Sequence, residues 1–161
     1  MSLENQKLAE CIGLKAVSEP VDMNTAAITG ARIGLAQGYK VAVVLHVGDS
    51  TGATVQFTLK QHTAASGGTS ANLSVDNVYY KKVGAATSFT KVEPSSAAAM
   101  YDLSTDLAAE PGIVVFEVDG AQLTEGYTHF SVDVADSGAS KHFSGIYHLA
   151  TKFEPAYALS L

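Results

Sequence analysis

The sequence predicts an all-β protein: an antiparallel β-sandwich or jelly-roll-like barrel with an extended N-terminal arm. Three observations carry that expectation. The stretch Ile113–Leu149 reads as strand, short acidic link, strand, Ser/Gly loop and strand. Period-two alternation recurs elsewhere, most cleanly where Val55, Phe57 and Leu59 alternate with Gln56, Thr58 and Lys60. Regularly spaced loop signals rich in Gly, Ser, Asn and Asp separate these segments, the pattern of an all-β domain with short strands.

Taken in order, residues 1–30 form the arm and residues 31–161 a single sandwich domain. Ser2–Leu14 has poor helical spacing and is interrupted by Gly13, while Pro20 forces Glu19 toward an extended conformation. Ile33 and Leu35 precede a turn at Gln37-Gly38. Tyr39–Val47 is a nearly continuous apolar run suited to a central strand. Val55–Lys60 is the two-faced strand, Ala64–Ser70 a loop, and Leu73–Val83 one or two strands around Val78, Tyr79 and Tyr80. Thr87–Glu93 is a weaker strand ending at Pro94. Ser95–Asp106 carries both helical and extended signals around Ala97–Leu103. In the last block, Thr128, Phe130, Val132 and Val134 share one face, and Tyr127, His129, Ser131 and Asp133 the other. Phe143, Tyr147 and Leu149 again lie together. Polar outer faces on these strands predict a sheet without a buried catalytic polar cluster.

Composition bounds the function classes. A chain of 161 residues with 47% hydrophobic content suits one globular domain that buries about two-thirds of its unfolded surface. A net charge of −6, with no Lys/Arg run longer than Lys81-Lys82, argues against sequence-independent nucleic-acid binding. The lone Cys11 excludes an intrachain disulfide framework and a cysteine-based zinc site. The N-terminal residues lack a signal-peptide core and no apolar run reaches about 18 residues, so the expectation is a protein made in the cytoplasm, with no membrane partner.

Few motifs offer chemistry. Gly48-Asp49-Ser50-Thr51-Gly52 matches the nucleophile-elbow letters G-x-S-x-G, which require a strand–turn–helix. Here a strand pattern follows, so the segment is expected to be a hairpin loop. His142 and His148 are six apart on one strand face, about 20 Å, and His129 and Asp133 are about 13 Å apart at ~3.3 Å per residue. Neither pair chelates; a site assembled across strands, for instance His129 with His142 or His148, is the alternative to histidines that simply lie on a solvent or interface face. Asp102, Asp106, Asp119, Glu125, Asp133 and Asp136 fall at strand ends and turns, where carboxylates cap. No catalytic, cofactor-binding or metal-binding residue is assigned.

The ordered combination of Val21-Asp22-Met23 after a Pro, Tyr39–His46, Val55–Gln61, Phe116–Leu123, Phe130–Val134 and Ile146–Leu149 with a late Pro155 resembles a family of small tailed-bacteriophage virion proteins. These are the head decoration or minor capsid proteins. The resemblance runs over most of the chain, departing in the longer lead-in before Pro20 and in the Ser/Ala-rich Ser95–Leu107. It implies a non-enzymatic virion structural protein without cofactors, a capsid decoration (cement) subunit on the head of a virion assembled in the host cytoplasm. The implied partner is the major capsid protein of the same virion, with self-association, a trimer being favoured. The apolar residues of the arm, Leu3, Leu8, Ile12, Leu14, Val17, Val21 and Met23, are then the candidate capsid contacts. The alternatives are a tail or head–tail junction protein, and a glycan-binding module or hydrolase using the Tyr79, Tyr80 and Tyr127 surfaces.

Overall fold

In the computed structural model, which describes residues 13–35, 39–76 and 78–151, two antiparallel sheets pack face to face. The larger sheet has six strands in the order β1 (Gly13–Asp22), β11 (His142–Thr151), β3 (Tyr39–Val47), β9 (Gly112–Asp119), β6 (Tyr79–Val83) and β7 (Thr90–Val92). The smaller runs β2 (Ile33–Gly34), β10 (His129–Val134), β4 (Gln56–His62) and β5 (Ser70–Asn72). A further strand, β8 (Met100–Asp102), pairs with Gln56–Thr58 at the start of β4. The expected all-β sandwich is therefore the fold, and Tyr39–Val47 is the central strand its apolar run predicts, held between β11 and β9.

Alternation builds the core. Val41, Val43, Leu45 and Val47 of β3 join Val114, Phe116 and Val118 of β9, all buried, and meet Phe57, Leu59, Phe130, Val132 and Val134 of the opposite sheet. Phe57 touches Phe116 edge-on at 6.2 Å and Phe143 at 6.1 Å, so aromatic rings from both sheets interlock in mid-core. Each such side chain contributes about 1.5–3 kcal/mol by leaving water. A polar contact links the two sheets: the Tyr147 hydroxyl on β11 accepts the Val132 N–H of β10 at 3.0 Å.

The arm expectation needs correction for its second half. Residues 13–22 form β1, paired along β11 from Gly13↔Leu149 to Asp22↔His142. Val17 and Met23 are 1% and 0% exposed and belong to the core, covered by this chain itself. Pro20 is accommodated because it lies in the register shift between Ser18 and Val21, where the ladder needs no donor from it. Leu3, Leu8, Ile12 and Cys11 lie outside the described residues. The ambiguous Ser95–Asp106 resolves as extended chain, β8, then a single turn of helix, α1 (Ser104–Leu107), whose first N–H is capped by Asp102 Oδ1 at 2.9 Å.

Candidate functional site

The two outer faces of the sandwich differ in chemistry. On the six-stranded sheet, Ala16, Ile146, Val44, Val115 and Tyr80 stand in direct register across β1, β11, β3, β9 and β6. At ~4.8 Å between strands this apolar row runs about 19 Å. Ile146 is 42% and Tyr80 43% exposed. The next row adds Leu14, His148, Ala42 and Glu117, and the row on the other side Ser144, His46, Ile113 and Lys82. A strand apolar on both faces usually lies between two covering layers. Here the sandwich covers the inner face of β3, while Ala42 and Val44 stay half-buried on the outer one.

The outer face of the smaller sheet is polar and holds the cluster that strand alternation did not predict. Ser131 is 0% and His62 3% exposed. The His62 ring joins Ser70 Oγ through Nδ1 at 2.7 Å and Ser131 Oγ through Nε2 at 2.8 Å. Arg32, entering β2, lies over this group: its guanidinium donates to the carbonyls of Ala64 at 2.9 Å and Gly67 at 2.6 Å, and to Ser70 Oγ at 3.3 Å. The arginine thus fastens the β4–β5 loop to the β2 edge and shares Ser70 with the imidazole. Burial first, then the guanidinium charge, holds His62 below the usual imidazole range. Serine, histidine and serine in series have the order of nucleophile, base and orienting group. Ser131 itself is sealed from solvent, however, and Arg32 engages the exposed Ser70, so the cluster acts as a clasp between edge and loop.

Comparison with protein-family models, with curated proteins and with solved structures finds no match for this chain.

The remaining sequence candidates separate cleanly. His129 lies in the smaller sheet and His142 and His148 in the larger, so the proposed cross-strand pairing does not form; the cross-strand partner of His129 is His62. Among the described residues, no group of three or more His, Cys, Asp or Glu is placed to hold a metal ion. Gly48–Gly52 is not a hairpin: it joins β3 of one sheet to β4 of the other, with strand on both sides. Tyr79 is buried against Tyr101 and Phe116 and cannot offer a ring to a sugar, whereas Tyr80 faces solvent. Asp102, Asp119 and Asp136 accept backbone N–H groups of the residues two further on, as turn-capping carboxylates do. Of the candidate contacts, Leu14 is exposed on the open face, Val21 packs against the core, and Val17 and Met23 lie inside it. Ile146, Val44 and Val115 were legible only as strand residues. Their shared face emerged once β11, β3 and β9 proved adjacent.

Proposed function

We propose that this chain is a non-enzymatic bacteriophage virion structural protein, a capsid decoration subunit that binds the outer head shell through the open face of its six-stranded sheet. The apolar row from Ala16 to Tyr80 carries the proposal. Contiguous apolar surface framed by polar residues is the usual mark of a protein contact. The resemblance of the ordered strand motifs to virion proteins supplies the partner, the major capsid protein, and the expectation of a trimer. Fully burying an isoleucine is worth about 1.5–3 kcal/mol, so covering the 42% of Ile146 still exposed yields roughly 0.6–1.3 kcal/mol. Four or five such residues give a modest affinity per copy, which repetition over a shell turns into substantial reinforcement.

Co-sedimentation with heads stripped of the subunit tests this reading. Ile146→Glu combined with Tyr80→Glu should weaken binding about tenfold or more by leaving charges at a desolvated contact. Met100→Glu is the control, because Met100 is at least as exposed, at 55%, but belongs to the smaller sheet. Equal binding by the parent and both variants would reject the open face as the contact.

A further inference from the structure

At one end of the open face, the row of Ser144, His46, Ile113 and Lys82 borders a groove of about 430 Å³ that also takes in His142, Gly48 and Pro20. Gly48 leaves space beside His142: a Cβ there would come within 3.2 Å of the histidine Cβ. The groove's described lining is basic in its side-chain types, with Lys82 as its cation. The protein carries −6 overall with histidine counted as neutral, yet among the described residues the lining contains two imidazoles and a lysine and no carboxylate. Among the neighbouring carboxylates, Asp22, the register partner of His142, accepts the N–H groups of Asn24 and Lys141 at 3.0 Å and Ser140 Oγ at 2.7 Å, and its charge also acts on His142. Glu110 lies over Gly84 at the rim. The walls are apolar where Val47, Ile113 and Phe143 contribute.

Spacing narrows the ligand. His142 is on β11 and Lys82 on β6, three strand spacings apart and thus about 14 Å. One small anion cannot meet both ends, whereas an extended peptide can. We infer that this groove receives an acidic, partly apolar peptide segment of the partner that covers the open face, its carboxylates meeting His46 and His142 at one end and Lys82 at the other. The inference rests on the docking reading and adds charge complementarity to it, which chiefly sets orientation and encounter rate.

The test uses the full-length protein and a fluorescein-labelled decapeptide of alternating Glu and Val, its Gln-for-Glu counterpart, and inorganic phosphate as competitor. The Glu peptide should bind about tenfold more tightly than the Gln peptide, and its affinity should fall as salt shortens the screening length. Lys82→Gln should weaken binding roughly threefold to tenfold and Glu110→Gln should tighten it, both with unchanged melting temperatures. Equal binding of the two peptides, or no effect of Lys82→Gln, would overturn the inference. Competition by phosphate at the peptide's own concentration would also overturn it, in favour of an isolated anion site. Head co-sedimentation separates the two levels. If Ile146→Glu with Tyr80→Glu abolishes head binding while Lys82→Gln leaves it intact, the groove inference fails and the docking reading stands. If the double variant binds heads normally, the docking reading fails, whatever the peptide result.

Discussion

Replacing Tyr147 by Phe removes one oxygen from the middle of the sandwich. Tyr147 is fully buried, and its hydroxyl is the partner of the Val132 N–H, which faces the edge where β2 gives way to Gly30. There the chain passes so close that a Cβ on Gly30 would lie 2.0 Å from the Val132 carbonyl oxygen, so this edge is tightly packed. The Tyr147 ring packs on Phe130 at 6.0 Å between centroids, and a phenyl group in its place keeps that contact, so little packing changes. The cost is therefore that of a buried, unsatisfied donor, about 1–3 kcal/mol. For a domain of this size, a loss of about 2 kcal/mol lowers the melting temperature by roughly 4–8 °C. Thermal and urea unfolding followed by circular dichroism measure both quantities. A variant melting within about 1 °C of the parent would show that the hydrogen bond contributes nothing net. The inter-sheet link would then lose its role.

The clasp at His62 predicts acid sensitivity. Its folded-state pKa lies below the ordinary 6.5, so the folded chain favours the neutral ring and the unfolded chain takes up the proton first. Stability contributed by His62 is complete above about pH 6.5 and is lost as the pH falls from there through the folded-state value. Urea unfolding of the parent and of His62→Gln along a pH series should show a shallower acid decline in the variant; parallel curves would contradict the assignment. Gly145→Ala tests packing between β1 and β11. The added Cβ would meet Leu45 Cδ2 at 2.7 Å and Val17 Cβ at 3.0 Å, and the expected loss is about 1–3 kcal/mol of unfolding free energy. No measurable loss would mean that β1 packs less tightly on this position than described.

Much of the fold is legible because strand alternation is local. The Val55–Lys60 pattern specifies both faces of β4, and the apolar run of β3 places it centrally without any tertiary information. β1 is harder to foresee: Pro20 and a shifted register break its period, and its pairing with β11 joins residues more than a hundred positions apart in sequence. The same non-locality hid the open face. Val44, Val115 and Ile146 are ordinary strand residues until the order β11-β3-β9 sets them side by side. Alternation places Ser131 on the outer face of its strand, where it lies. Its burial under the His62 ring, which reaches it from the neighbouring strand β4, is a tertiary fact that alternation does not carry. The continuous apolar run of β3 did carry a signal for the open face, since a strand apolar on both sides needs a second covering layer.

The most direct test of the docking account is a density map of the virion with this subunit located. The account predicts that the six-stranded sheet faces the shell, with Ile146, Val44 and Tyr80 buried against the major capsid protein and the polar sheet carrying His62 turned to solvent. A subunit attached by the smaller sheet, with the Ile146 row exposed, would contradict it.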